Sequence, residues 1–161
     1  MRSNTEEFQA ILRTPFARLG VRVDDDRVAE IVFLPSDGPT LAPQSRLAER
    51  ACGQIERYVR DAQYRFDLPI EPQGTAFQRR VWRKITTIGA GRTRSYGEIA
   101  RELDSSPRAV GQACGANPLP LVVPCHRVLA AAGIGGFAHH SRGFPLSVKR
   151  WLLAHEGVTA E

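Results

Sequence analysis

Two prolines, Pro69 and Pro72, stand in the segment Asp67 to Gln73, directly after one helical pattern and directly before another. Proline removes a backbone donor and clashes with the preceding turn, so no helix runs through such a segment. The chain is therefore expected to fold as two units, residues 1–73 with the linker at their end and residues 74–161. A total of 161 residues supports one good core or two small ones. Charge divides at the same place. Residues 1–73 hold ten Arg against twelve Asp and Glu, net −2; residues 74–161 hold ten Arg and two Lys against five Asp and Glu, net +7. A basic half points to a polyanionic partner, most simply nucleic acid, or else to a solvated arginine-rich surface.

No apolar run approaches the length of a membrane span, and Met1 to Glu7 form no secretory signal. The expectation is a soluble cytoplasmic protein with no membrane partner. Cys52, Cys114 and Cys125 are odd in number and show no C-x-x-C spacing, which argues against a disulfide framework and against a thiolate metal site.

In the first unit, Phe16 to Val23 and Arg27 to Leu34 read as two strands joined by the turn Asp24-Asp25-Asp26. After the Pro/Gly/Ser-rich stretch from Pro35 to Pro43, the segment Gln44 to about Phe66 places Leu47, Ala51, Ile55, Tyr58 and Val59 at helical spacing. Cys52 lies in that helix and reads as packing.

The second unit opens with Thr75 placed to cap a helix carrying Phe77, Val81, Trp82 and Ile85 on one face. Ser95 and Glu98 have capping-box spacing, opening a helix through about Leu103. Pro107 suits a first helical position, and a further short helix runs to about Ala116. Two short helices across a tight turn in a basic half make a helix-turn-helix. Arg108-Ala109-Val110-Gly111-Gln112-Ala113 offers one Arg near its start and otherwise mostly small side chains. That is poor equipment for reading base edges, which takes several bidentate side chains. Small residues instead permit close approach to a backbone or a narrow groove, and a single Arg can enter the base stack when a nucleotide is turned out.

The chemistry concentrates in Pro124-Cys125-His126-Arg127-Val128, following the apolar run Leu119 to Val123. A thiol at the end of a buried strand, flanked by two potential cations, has the surroundings that favour a thiolate nucleophile. Neighbouring side chains on an extended segment point to opposite faces, so Cys125 and His126 are not expected to bond directly.

These residues resemble a known family. Gly74-Thr75-x-Phe77-Gln78-x-x-Val81-Trp82, Ser95-Tyr96-Gly97-Glu98-Ile99-Ala100, Arg108-Ala109-Val110-Gly111, Ala116-Asn117-Pro118, the Cys125 motif and Trp151-Leu152-Leu153-x-x-Glu156-Gly157 are similar, in order, to the signature blocks of the O6-alkylguanine-DNA alkyltransferases. The resemblance covers residues 74 to 157. It implies an α/β N-terminal domain, a small antiparallel sheet plus helix of ribonuclease-H-like kind. It also implies a mostly α, winged-helix-like C-terminal domain that binds DNA and accepts the alkyl group.

The function so implied is DNA repair by irreversible transfer of an alkyl group from O6-alkylguanine in duplex DNA to an internal cysteine, stoichiometric and without cofactor or metal. By the same resemblance Cys125 is the acceptor, His126 the base that takes its proton through a bridging water, and Glu156 the residue that orients and charges the imidazole. Tyr96 is the hydroxyl donor to the leaving guanine and displaces a backbone phosphate. Asn117 ties the helix-turn-helix to the Cys125 segment. Arg108 is the finger that fills the gap left by the extruded nucleotide, with Ala109, Gly111 and Arg127 beside Tyr96 at the DNA surface. Pro120, Val128, Phe137 and Ala138 line the alkyl pocket. Phe137 departs from the commoner Tyr and lacks its hydroxyl. The expected partner is double-stranded DNA, bound by a monomer through the minor groove. A damage-recognition protein without transfer and a cysteine hydrolase are the competing readings. Retention of Cys125 argues against the first, and the absence of a distant histidine and a visible oxyanion hole against the second.

Overall fold

The computed structural model describes residues 8–130, 133 and 144–159. The chain divides into two compact units, Met1–Pro72 and Gln73–Glu161.

Among its described residues the first unit is a three-stranded antiparallel sheet with one helix against it. Strands β1 (Ala10–Arg13), β2 (Arg18–Asp24) and β3 (Arg27–Leu34) lie in the order β1-β2-β3. Asp25 takes the left-handed conformation, φ +54, that the tight turn between β2 and β3 requires and that Asp tolerates. Alternation buries Leu19, Val21, Val28 and Ile31 on one sheet face, where they meet Ala48, Ala51, Ile55 and Tyr58 of helix α1 (Arg46–Arg60). The predicted first strand begins two residues late, and β1 adds a strand that its four residues did not announce. Helix α1 is also shorter than Gln44 to Phe66. Ser45 caps it, and the backbone turns extended at Asp61. The segment beyond folds back, so that Gln54 bonds both the backbone N–H and the carbonyl of Asp67 at 2.8 and 2.9 Å, while Phe66 packs on Tyr58. Tertiary contacts to that segment replaced the further helical turns that periodicity suggested.

The described residues of the second unit are mostly helical, with one two-stranded parallel pair. Helix α2 (Ala76–Thr86) starts at a reciprocal cap: the Thr75 hydroxyl accepts from Gln78 N–H at 3.0 Å, and the Gln78 side chain accepts from Thr75 N–H at 2.9 Å. Ser95 and Glu98 repeat that arrangement at helix α3 (Tyr96–Glu102), and Ser106 with Pro107 opens helix α4 (Pro107–Gly115). Gly74 is glycine for space, because a Cβ there would come 2.5 Å from the Trp82 ring. Trp82 is buried and donates its indole N–H to the Ala113 carbonyl at 2.9 Å, joining α2 to α4. Phe77 is half-buried, with the Arg80 guanidinium over its ring. Strand β4 (Arg94–Ser95) pairs in parallel with β5 (Val128–Leu129). That pairing brings the start of α3 beside the Cys125 motif. Helix α5 (Phe144–His155) closes the unit.

The approach to Cys125 is not the expected buried strand. Leu119 to Val123 forms a turn, with Val123 N–H on the Leu119 carbonyl at 2.8 Å and Leu121 at φ +77. Pro124, at φ −81 and ψ 67, makes an inverse γ-turn closed by Cys125 N–H on the Val123 carbonyl at 2.8 Å. Cys125–Arg127 then forms a single 3-10 turn. Proline at 124 and the left-handed residue at 121 both deny the segment a regular ladder.

Candidate active site

On the 3-10 turn the Cys125 side chain meets Asn117, while His126 and Arg127 both reach the Glu156 carboxylate. Cys125 is 2% exposed. Its sulfur accepts from Asn117 Nδ2 at 3.2 Å, and the same amide nitrogen donates to the Val123 carbonyl at 2.8 Å. Asn117 Oδ1 accepts from Leu119 N–H at 2.9 Å. One amide, just past the end of α4, thus holds both the turn and the thiol. Burial pushes the Cys125 thiol well up from its ordinary range, and the Cys114 thiol beside it pushes the same way, while Asn117 and Lys149 oppose them. The resting side chain is a neutral thiol, not the thiolate that two flanking cations suggested.

Those flanking groups are engaged elsewhere. His126 is 1% exposed and its Nε2 lies 2.9 Å from Glu156 Oε2. Arg127 donates from Nε to Glu156 Oε1 and from a terminal nitrogen to Oε2, each at 2.9 Å, and from its other terminal nitrogen to the Ile88 carbonyl at 2.6 Å. The placement of Arg127 at the DNA surface is therefore corrected. It is buried because it is the counter-ion of Glu156, whose side chain has no exposure, and its charge is spent on that carboxylate. Ionised Glu156 can only accept, so Nε2 of His126 carries the proton and Nδ1 carries the lone pair. Nδ1 has no partner among the described residues. Burial holds the imidazole below its ordinary pKa, with Glu156 pulling the other way. A neutral histidine with a bare Nδ1 can take a proton.

Tyr96, the first residue of α3, is half-buried. Burial raises its pKa, and Cys114 and Cys125 reinforce the rise, so it stays a phenol able to donate. Sequence reasoning missed its neighbour. Lys149 has no exposure; its Nζ donates to the Val128 carbonyl at 2.9 Å and lies 3.5 Å from the Tyr96 hydroxyl. The signal was present as a lysine at helical spacing within the apolar stripe Leu146, Leu152 and Leu153. Arg108 stands exposed in the first turn of α4, and the small residues Ala109 and Gly111 are half-buried on the same helix, with open space where a Gly111 Cβ would lie. Pro120 and Val128 are buried near the Cys125 turn. Phe137 and Ala138 lie outside the described residues. Among the described residues, no group of three or more His, Cys, Asp or Glu is placed to hold a metal, and no helix is long and apolar enough to cross a membrane.

Residues 76–158 match the family model for the DNA-binding domain of 6-O-methylguanine DNA methyltransferase. The methylated-DNA-protein-cysteine methyltransferase of Methanosarcina acetivorans is 33% identical over 158 residues, covering 93% of this chain and 98% of that one. Its counterpart from Mycolicibacterium paratuberculosis is 45% identical over 109 residues, 66% of this chain and 63% of that one. The crystal structure of Mycobacterium tuberculosis O6-methylguanine methyltransferase superposes with a TM-score of 0.76 at 32% identity, covering 91% of this chain and 90% of that one. Mycobacterium tuberculosis OGT in complex with DNA gives a TM-score of 0.71 at the same identity and coverage. A likeness in sequence and in backbone over more than nine-tenths of the chain, with the family model matched across residues 76–158, leaves one assignment: the chain belongs to the methylated-DNA-protein-cysteine methyltransferase family.

Proposed function

We propose that this protein repairs duplex DNA by moving the alkyl group of O6-alkylguanine onto Cys125 in a single, irreversible event. The observation that carries the reading is the buried thiol beside a neutral His126 whose Nε2 is fixed by Glu156, leaving Nδ1 as the base. The raised thiol pKa makes deprotonation part of the attack. Its proton passes to His126 Nδ1 through a water, the new C–S bond forms, and the alkyl–O6 bond breaks with its electron pair leaving on guanine. Tyr96 donates a proton to the departing base, so the products are neutral guanine and a thioether. Nothing regenerates the thiol, and each molecule acts once.

DNA is the partner. The reading seats residues 74–161 in the minor groove through a winged-helix-like, helix-turn-helix surface. Arg108 fills the gap left by the extruded nucleotide, and Ala109 and Gly111 permit close backbone approach. Exposure of Arg108 and the small side chains beside it support this. Pro120, Val128, Phe137 and Ala138 are proposed to form the alkyl pocket. Residues 1–73 are proposed as a ribonuclease-H-like companion domain, and the protein as a cytoplasmic monomer.

The test is intact-mass analysis with peptide mapping after incubation with a duplex containing O6-methylguanine, using Cys125→Ser as control. One methyl on Cys125, guanine restored in the DNA and no further turnover is the expected result. An unmodified protein that still binds the lesion selectively would replace the transferase reading with a damage-recognition one.

A further inference from the structure

Two of the three cysteines meet at the site. Cys114 lies in α4, on the buried face with Val110 and Ala113, and is 8% exposed. Its carbonyl accepts from Asn117 N–H at 3.2 Å, and the Asn117 amide reaches the Cys125 sulfur at 3.2 Å. The end of α4 thus carries both the Cys114 thiol and the Asn117 amide to one sulfur, and the two thiols are hydrogen-bonded neighbours. Both also face the Tyr96 phenol of α3 and the Lys149 ammonium of α5. Cys52 belongs to the other unit, in α1.

The alkyl-transfer chemistry uses one of these thiols. A buried cysteine is ordinarily a small packing residue, and alanine or serine would fill the volume at 114 without setting a second sulfur against the acceptor. We propose that Cys114 and Cys125 form a redox pair, which a peroxide converts to a disulfide that withdraws the acceptor reversibly from alkyl transfer. In the first step one thiol, ionising as it attacks, breaks the O–O bond; it becomes a sulfenic acid, and the displaced hydroxide takes up the released proton as water. In the second, the other thiol attacks that sulfur, the S–O bond breaks and a second water leaves. Two thiols and one hydrogen peroxide give one disulfide and two waters, with the electrons passing from sulfur to peroxide. The sulfurs close from hydrogen-bond contact to the S–S length of about 2.05 Å. A small thiol reverses the reaction through a mixed disulfide.

An isolated sulfenic acid goes on to the sulfinic acid, which is irreversible, and a protein that acts once loses its only use by that route. A partner thiol in contact traps the sulfenic acid at the reversible stage. Burial keeps the Cys125 thiol neutral, whereas the thiolate is the form that reacts, so the pair is oxidised slowly rather than acting as a fast sensor. The loss of transfer rests on the reading of Cys125 as acceptor; the disulfide itself does not.

The experiment treats wild type, Cys114→Ser and Cys114→Ala, as full chains, with hydrogen peroxide and then with dithiothreitol. Circular dichroism checks that each is folded. Intact mass and non-reducing peptide mapping read the sulfur chemistry, and methyl uptake from an O6-methylguanine duplex reads the acceptor. Wild type is expected to lose the mass of two hydrogens, to yield a peptide linking Cys114 to Cys125, to lose methyl uptake, and to regain it after dithiothreitol. Both variants are expected to gain two oxygens on Cys125 and to stay inactive after reduction. Wild type left unmodified, carried to the sulfinic acid at Cys125, or bridged to Cys52 or to a second molecule overturns the pairing. So does recovery in the variants equal to that of wild type. Reduced wild type that takes no methyl overturns the functional reading instead, and the linked peptide then decides the pair on its own.

Discussion

Replacing Glu156 by Gln isolates the part of the site that depends on a single negative charge. The carboxylate accepts two bonds from Arg127 and one from His126, all at 2.9 Å, from a side chain with no exposure. With the amide oxygen at the Oε2 position, the amide N–H meets Arg127 Nε–H. In the other orientation it meets His126 Nε2–H and the Arg127 terminal nitrogen. Either way one donor faces another and the guanidinium loses its counter-ion. Breaking a buried pair by removing one partner costs about 3 to 5 kcal/mol; since Gln retains one acceptor, about 3 kcal/mol is expected. At roughly 2 to 4 °C per kcal/mol for a chain of this size, the melting temperature should fall by about 6 to 12 °C.

Catalysis should suffer through a different route. The imidazolium that forms as His126 takes the thiol proton loses its stabilising carboxylate and sits beside an uncompensated Arg127. Loss of an effective base slows transfer by about 100-fold or more. Adding Arg127→Met to the Glu156→Gln protein removes the stranded charge, and should recover stability without recovering rate. Single-turnover transfer from an O6-methylguanine duplex, read beside thermal melting, separates the two effects. A folded Glu156→Gln protein within about threefold of the wild-type rate would refute the reasoning, as would a double variant whose rate returns together with its stability.

Asn117→Ala removes bonds to Val123, Leu119 and the Cys125 sulfur. It should cost about 2 to 3 kcal/mol in urea unfolding, at roughly 1 kcal/mol per lost bond, and slow Cys125 alkylation because one group favouring the thiolate is gone. Arg108 is exposed, so Arg108→Ala should change stability by under about 0.5 kcal/mol while weakening duplex repair and sparing reaction with the free alkylated base; equal loss of both contradicts the finger role. Duplex binding should also weaken steeply with added salt as phosphate counterions are released. Because burial lowers the His126 pKa in the folded state, the unfolded chain binds its proton more tightly. The resulting stability is fully present above about pH 6.5, the unfolded value, and is lost as pH falls from there toward the folded pKa. Urea midpoints measured between pH 8 and 5 should show that fall, and His126→Gln should flatten it.

What was legible in the sequence is what local physics decides. The caps at Thr75, Ser95 and Ser106 involve atoms three residues apart, so the starts of α2, α3 and α4 are written in their own residues. The hairpin turn at Asp24 to Asp26, the break after α1 and the ordered motif blocks that carry the family resemblance are likewise statements of residue type and spacing. The end of α1 was not legible, because Gln54 reaches thirteen residues along the chain to bond Asp67 and the helical pattern continues past the point where that contact wins. Charge was the least legible quantity of all. Arg127 reads as a cation offered to DNA or thiol until Glu156, 29 residues away, is brought against it, and Lys149, which sequence reasoning passed over, is held in the interior by Val128, 21 residues away. Cys125, His126 and Glu156 could be named from their motifs. The protonation state of each neighbour, however, depends on burial and on partners distant in the chain. A thiol beside an imidazole and a guanidinium is a sequence property; a neutral thiol, a neutral imidazole with its Nδ1 lone pair bare, and a guanidinium already neutralised are properties that only the folded interior confers.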